Sequence, residues 1–194
     1  FLYDDKGHAY SIIGKLIDIS EEEAEKQELI KKSETDGMTG IYNAVTTKNL
    51  INDIIKNPVS NSKGALIIID CDDLKHINDT QGHLCGDAVL VELAAKMLSL
   101  FRSTDIVGRI GGDEFLVFLK NVNSRSQLKL QAKSLIDAFT SEADGIEYSC
   151  SIGAALYPED GETIDWLFKN ADSALYNSKR AGKRRISLHG ETQL

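Results

Sequence analysis

The sequence predicts an α+β fold in which helices pack on one face of a mainly antiparallel sheet that also has some parallel neighbouring strands. Three observations predict it. Apolar residues run without interruption over 65–69, which is typical of a buried central strand. A Gly-Gly pair at 111–112 separates two short apolar runs, which predicts a β-hairpin. Strand and helix patterns then follow the order β-α-α-β-β-α-β-α, which favours an α+β domain.

Composition narrows the class of protein. A chain of 194 residues is long enough for one ordinary domain and an appendage. The formal net charge of -8 argues against a nucleic-acid polymer as partner, although a mononucleotide needs only a local basic surface. The three cysteines are odd in number and lack zinc spacing, which predicts free thiols in a reducing compartment, the cytoplasm.

Membrane contact by this fragment is not expected. No apolar run approaches the roughly 20 residues of a membrane span. The first residue is Phe1, which predicts a piece cut from a longer protein. A membrane segment upstream in that protein would lie outside this sequence.

The first 19 residues predict a hairpin or at least one strand. A turn signal at 4–7 precedes a partly alternating stretch at 10–19. Alone, such a hairpin would be marginal in water. Its end, Asp18-Ile19-Ser20, is similar to the closing strand of PAS-type sensor domains.

A helix is predicted over 21–33. Ser20 and Glu23 have capping-box spacing. Two acid–base pairs have i,i+4 spacing: Glu22 with Lys26, and Glu28 with Lys32. The apolar positions are too few to establish a coiled coil, so a solvated connector and a coupling or dimerisation helix both remain open.

The remaining elements follow from periodicity and breakers. Apolar residues at 50, 51, 54 and 55 predict a helix that Asn57-Pro58 ends. The further predictions are helices over 75–78, 89–101, 128–139 and 164–178, a strand over 146–156, and a short last strand over 185–188.

Acidic residues lie at two predicted strand ends. Asp70 to Asp73 follow the apolar run 65–69, and Asp113 and Glu114 lie at the hairpin tip. If the two strands are neighbours, like charges meet there, and unit charges 4 Å apart repel by roughly 4 kcal/mol at an effective dielectric near 20. That favours a divalent cation. The plain alternative is a tight turn with solvated acids.

Four ordered motifs carry a family resemblance. Gly-Gly-Asp-Glu-Phe at 111–115 resembles the signature of GGDEF-domain diguanylate cyclases, and the block 70–87 is similar to the second motif of that family. Asp-Gly-Met-Thr-Gly-Ile-Tyr-Asn at 36–43 and the stretch 171–179 resemble its first motif and last helix. The resemblance implies a ferredoxin-like, palm-like fold of the nucleotide-cyclase type.

The resemblance also implies a domain order, that of the C-terminal part of a PAS–GGDEF sensor protein. Residues 1–19 would be the remnant of a PAS-like sensor domain, 20–35 a linker or signalling helix, and 36–190 the GGDEF domain. The upstream sensor domain would be a partner in the complete protein.

The implied activity is the condensation of two GTP molecules into cyclic di-GMP and two pyrophosphates by a homodimer, with Mg²⁺ or Mn²⁺ as cofactor. Each subunit would supply one half-site. The resemblance assigns metal binding to the side chains of Asp70, Asp113 and Glu114 and to the backbone carbonyl of Cys71. Asp113 and Glu114 would also be the catalytic pair.

The remaining site residues come from the same resemblance. They are Asn78 and Asp87 for guanine, the amides of Asp73 and Leu74 and the side chains of Lys179 and Lys183 for phosphates, and Arg102 and Asp105 for inhibitory binding of the product. Each also has an ordinary interpretation, as a helix cap, a helix-end charge or a turn acid.

The chain departs from the family pattern at three positions. Lys183 replaces a usual arginine, Arg184 a usual asparagine and Ala44 another usual arginine. Lysine keeps the charge of arginine but loses its bidentate fork. A catalytically weak GGDEF module that binds GTP or cyclic di-GMP and only signals therefore stays open, as does a palm-like cyclase with another base preference.

Overall fold

The computed structural model describes residues 2–11, 18–58, 62–139, 141–143 and 146–191. The chain divides into two compact units, Phe1–Ser33 and Glu34–Leu194. In the first unit, β1 (Leu2–Tyr3) and β2 (Ala9–Ser11) form an antiparallel pair, as the predicted hairpin requires. Residues 12–17 of the predicted stretch 10–19 lie outside the described residues, and the PAS assignment stays a prediction.

Helix α1 (Ser20–Glu34) follows and has no buried residue. The predicted capping box is wrong: the Asp18 carboxylate accepts from the Ser20 amide at 2.9 Å, and the Glu23 amide donates to the Ile19 carbonyl. Lys32 pairs with Glu28 at 2.7 Å as predicted, whereas Lys26 pairs with Glu23 rather than Glu22. Such exposed pairs contribute little, because water screens them.

The second unit is built on a five-stranded sheet of order β4-β5-β3-β8-β9, in which only the β8–β9 pair is parallel. Its helices and strands are α2 (Ala44–Lys56), β3 (Gly64–Cys71), α3 (Leu74–Gln81), α4 (His83–Leu100), β4 (Ile106–Arg109), β5 (Glu114–Lys120), α5 (Arg125–Phe139), β6 (Ser141–Ala143), β7 (Ile146–Tyr148), β8 (Cys150–Tyr157), α6 (Ile164–Arg180) and β9 (Ile186–Leu188). This confirms the predicted α+β fold with a mainly antiparallel sheet.

Helices cover both faces of this sheet, so the prediction of one covered face is wrong. Alternate residues of β3 divide between two apolar clusters, because successive side chains of a strand point to opposite faces. Ile67 and Ile69 belong to the cluster with α3, α4 and α5, and Leu66 and Ile68 to the cluster with α2 and α6. All eight residues of β3 are buried, as the uninterrupted apolar run requires.

Smaller differences from the sequence-based prediction are local. The predicted strand 146–156 is broken at Ser149, and β6 pairs with β7 as a separate hairpin. Helix α3 is longer than the predicted 75–78. The Asn43 side chain caps α2 by accepting from the Thr46 amide at 3.0 Å. Among the described residues, no helix is both long and apolar enough to cross a membrane.

Candidate active site

The two acidic strand ends meet in the structure. Strands β3 and β5 are antiparallel neighbours, and Asp70 lies directly opposite Glu114 in their ladder. One residue further, the Cys71 amide donates to the Asp113 carbonyl at 3.0 Å. The charge cluster that the sequence predicts therefore exists at one edge of the sheet.

Asp70 is buried and continues the row of β3 side chains that faces α2 and α6. The Lys179 ammonium, near the end of α6, lies 2.6 Å from its carboxylate. Burial raises the pKa of Asp70 to about 6; Lys179 lowers it, and the neighbouring Asp113 and Glu114 carboxylates raise it further. A buried carboxylate beside two others is a site that a cation stabilises.

This pKa gives a prediction for the metal-free protein. The folded-state value lies above the value of about 3.9 for an unfolded chain, so the folded protein binds this proton more tightly. The stabilising contribution is present at low pH and is lost as pH rises through about 6. Urea unfolding in EDTA at several pH values should therefore show a larger fall in unfolding free energy for the parent than for Asp70→Asn. Parallel curves would contradict the raised pKa.

The hairpin tip between β4 and β5 carries Asp113 and Glu114, both half-buried. The amides of Ile110 and Gly111 donate to the Glu114 carbonyl at 2.9 and 3.3 Å. The Arg109 guanidinium donates to the Gly112 carbonyl at 2.7 Å. The backbone on both sides of Asp113 is thus held by hydrogen bonds.

The donor set at this edge fits a hard divalent cation. The side chains of Asp70, Asp113 and Glu114 offer carboxylate oxygens, the ligands that Mg²⁺ prefers. In the part of the chain that the structure describes, no group of three His, Cys, Asp or Glu side chains is already arranged to hold a metal ion. Lys179 instead neutralises Asp70. The fit therefore rests on the chemistry and charge of the donors.

Lys183 and Asp73 lie beside this cluster. Both residues have a left-handed backbone conformation, with φ of 60° for Lys183 after α6 and 57° for Asp73 before α3. The Lys183 ammonium donates to the Asp73 carboxylate at 2.6 Å, and this hydrogen bond raises the pKa of Lys183. The structure therefore brings the two predicted phosphate lysines to the end of β3 and to the loop that follows it, before Leu74 begins α3.

Asp72 has a structural role that the sequence does not predict. Its buried carboxylate accepts from the hydroxyls of Ser149 and Ser151 at 2.7 and 2.6 Å and from the Arg184 amide at 3.3 Å. It thereby joins the end of β3 to the start of β8 and to the segment that holds Lys183. The serines are about 80 residues away in the chain, so no local pattern indicates these partners.

Asn78 lies against the start of α4. Its Oδ1 is buried and has no hydrogen-bond partner within the described residues. A Cβ added at Gly86 would lie 2.0 Å from this oxygen, so only glycine allows the contact. Asp87 follows Gly86 and is half-buried. Asn78 therefore lies against the residue that precedes Asp87, and its side chain has an unsatisfied acceptor.

Arg102 and Asp105 form one turn at the opposite end of β4 from the hairpin tip. The Asp105 carboxylate accepts from the amides of Arg102 and Lys120, each at 3.0 Å, while the Arg102 side chain is exposed. A cavity of about 450 Å³ borders Asp105 and is also lined by Tyr42 and Asp53. The predicted pair is adjacent, and its carboxylate also holds the turn.

The sheet with its acidic edge and two helix-end lysines defines a palm-like, nucleotide-cyclase type of domain. The family model described as "Diguanylate cyclase, GGDEF domain" matches residues 33–185. The chain belongs to the GGDEF domain family. This confirms the family resemblance, while the upstream PAS assignment stays a prediction.

Named relatives and solved structures agree. The chain is 34% identical over 175 residues to the cyclic di-GMP phosphodiesterase PdeR of Escherichia coli K12, covering 88% of this chain and 26% of PdeR. It is 34% identical over 168 residues to the probable diguanylate cyclase DgcC of the same strain, covering 84% of this chain and 45% of DgcC. It therefore spans less than half the length of these relatives.

A structure comprising only the GGDEF domain of TpbB from Pseudomonas aeruginosa PAO1 is similar in fold. It superimposes with a TM-score of 0.75 at 32% identity, over 80% of this chain and 94% of that one. This similarity confirms the nucleotide-cyclase type of fold.

Proposed function

We propose that the domain is an active diguanylate cyclase, in which two chains each bind one GTP and together form cyclic di-GMP and two pyrophosphates. The observation that carries the proposal is the acidic edge, where buried Asp70 lies beside Asp113 and Glu114 and is neutralised by Lys179. Each of the two transfers at phosphorus needs positive charge beside the phosphates, and this carboxylate cluster can hold the cation that supplies it. A cytoplasmic location belongs to the same proposal, because GTP is its substrate and the free thiols of Cys71, Cys85 and Cys150 suit a reducing compartment.

In each half-reaction, the 3′-hydroxyl of one GTP attacks the α-phosphorus of the other, and pyrophosphate leaves. Asp70, Asp113, Glu114 and the Cys71 carbonyl would hold the metal. A bound Mg²⁺ or Mn²⁺ supplies charge neutralisation of the phosphates and lowers the pKa of an oxygen bound to it. Glu114 would help to remove the proton of the attacking hydroxyl.

The lysines bind the terminal phosphates in this proposal. Lys179 and Lys183 now pair with Asp70 and Asp73, each at 2.6 Å. On binding of cation and triphosphate, Asp70 would exchange Lys179 for the cation and both ammonium groups would bind phosphate, while the Asp73 carboxylate, 61% exposed, would be left to solvent. The amides of Asp73 and Leu74 would add hydrogen bonds to phosphate at the start of α3.

Guanine recognition falls to Asn78 and Asp87. A carboxylate accepts from both guanine N1–H and the exocyclic amine, donors that adenine does not offer at these positions. Support comes from the unsatisfied Asn78 oxygen beside Gly86, next to Asp87.

The test of function and base choice is one assay. Purified protein with Mg²⁺ and either GTP or ATP should yield cyclic di-GMP from GTP only. Asp87→Ser should lose most of this preference, by about 100-fold or more, because guanine donors are then left unpaired. Nucleotide binding without turnover by the parent would contradict the proposed activity, and unchanged rejection of ATP by the variant would contradict the role of Asp87.

We also propose product inhibition at Arg102 and Asp105. The exposed Arg102 guanidinium can stack on guanine or bind phosphate with two donors, and Asp105 borders a cavity of about 450 Å³. Arg102→Ala should abolish cyclic di-GMP binding in calorimetry and relieve inhibition of initial rates. Lys129→Ala, which removes an exposed cation on α5, is the control. Equal binding by parent and Arg102→Ala would contradict this site.

A further inference from the structure

We propose that Arg109 is a positioning residue that fixes the catalytic hairpin tip to the loop that follows α1. The proposal rests on the proposed function, since the tip carries Asp113 and Glu114. Arg109 is the last residue of β4, and its side chain is only 13% exposed. The proposed roles in binding metal, GTP and product do not include Arg109.

Arg109 binds two separate segments. One terminal nitrogen of its guanidinium donates to the Asp36 carboxylate at 3.2 Å, and the other donates to the Gly112 carbonyl at 2.7 Å. Its Nε is buried and has no partner within the described residues. The guanidinium is planar and rigid, so the two contacts fix the distance and orientation between Asp36 and Gly112.

Backbone hydrogen bonds also hold the Asp113 and Glu114 carbonyls at the tip, but the Gly112 carbonyl has Arg109 as its partner. Gly112 is exposed, and a Cβ added there would meet no atom within 4 Å. The Gly112 carbonyl belongs to the peptide unit that precedes Asp113. A hydrogen bond to this oxygen therefore orients the plane of the peptide from which the Asp113 side chain departs. The exposed position of Gly112 offers no packing that could replace this hydrogen bond.

Asp36, in contrast, is firmly held. Its carboxylate accepts from the amide and the hydroxyl of Thr39 at 2.9 and 2.6 Å, and its own amide donates to the Ile41 carbonyl. Burial opposes ionisation of Asp36, but the Thr39 hydrogen bonds and the Arg109 cation outweigh it and lower the pKa of Asp36. The carboxylate is thus an ionised anchor at neutral pH.

The loop that contains Asp36 is also hydrogen-bonded to the edge strand β4. The Tyr42 carbonyl accepts from the Arg109 amide at 2.9 Å, and the Tyr42 amide donates to the Val107 carbonyl at 3.3 Å. The loop also closes on itself, because the Asn43 amide donates to the Glu34 carbonyl at the end of α1. Arg109 therefore connects this hydrogen-bonded loop to the carbonyl of exposed Gly112 at the tip.

The experiment compares Arg109→Lys, Asp36→Asn and the control Thr39→Val. Lysine keeps the charge but carries its donors on one rotatable ammonium instead of a rigid planar fork, so it cannot reproduce the fixed geometry of the two contacts. Thr39→Val removes a hydrogen bond from the same carboxylate and leaves the Arg109 contacts. We expect kcat to fall by about 10- to 100-fold in Arg109→Lys and Asp36→Asn, because a displacement near 1 Å has effects of that size. KM for GTP and the far-UV spectrum should stay unchanged.

A second readout does not need turnover. Hydrogen exchange of the Cys71 and Gly111 amides, which bond to the Asp113 and Glu114 carbonyls, should be faster in both Arg109→Lys and Asp36→Asn than in the parent and in Thr39→Val. Unchanged exchange, or a loss of GTP binding in place of kcat, would overturn the positioning role. If the parent makes no cyclic di-GMP, the proposed function fails, and exchange alone still decides whether Arg109 positions the tip.

Discussion

Asp113→Asn and Glu114→Gln should each lower the proposed diguanylate cyclase activity by about 100- to 1,000-fold, because each removes a carboxylate charge whose loss costs the transition state several kcal/mol. Both substitutions keep the size of the side chain and remove one negative charge. The measurement is the initial rate of cyclic di-GMP formation from GTP with Mg²⁺.

The same variants should remain folded. Asp113 and Glu114 raise the pKa of buried Asp70, so they repel its ionised form in the metal-free protein. Removing either charge relieves this repulsion, and the thermal midpoint without metal should stay equal or rise. This combination of lost activity and retained stability separates a functional carboxylate from a structural one.

Asp137→Asn is the matched control, because Asp137 is exposed on α5 and lies outside the site. It should keep full activity. Normal turnover by folded Asp113→Asn or Glu114→Gln would remove the proposed metal ligands. A large loss of stability in either variant, with activity per folded molecule unchanged, would make the carboxylates structural.

The sequence predicts those features whose cause is local. The uninterrupted apolar run of β3 requires burial on both faces, and the structure has it. A strand buried on both faces is incompatible with one uncovered face, so the error in helix placement came from the interpretation of the element order. The break at Ser149 had no local signal, since the Ser149 carbonyl accepts from the Asp72 amide, far away in the chain.

The residues of the site also divide into those with a local sequence signal and those without one. Asp70 and Glu114 each follow a recognisable strand or turn pattern, and strand pairing alone places them opposite each other. Asp72 and Arg109 depend on partners about 75 residues away. The hydrogen bonds of Asp72 to Ser149 and of Arg109 to Asp36 are long-range, and periodicity and spacing do not encode them.

Gly153→Ala should destabilise the domain by about 3 kcal/mol, an effect at the upper end of those caused by overpacking. Gly153 lies in β8, opposite Ile68 of β3, and α6 crosses it at backbone distance. A Cβ there would lie 2.2 Å from both the Ala171 carbonyl oxygen and the Leu175 amide nitrogen. Because these are backbone atoms of one helix, the clash can be relieved only if α6 moves as a unit.

A shift of α6 also reaches the acidic edge, because Lys179 lies one turn beyond Leu175 and its ammonium is 2.6 Å from the Asp70 carboxylate. Urea unfolding should therefore show a lower midpoint for Gly153→Ala, and GTP affinity should fall in the protein that remains folded. Gly37→Ala is the control: a Cβ there meets no atom within 4 Å and its φ is not left-handed, so stability should change by less than about 1 kcal/mol. Equal midpoints for Gly153→Ala and the parent would mean that α6 does not need this close approach to hold Lys179 at the site.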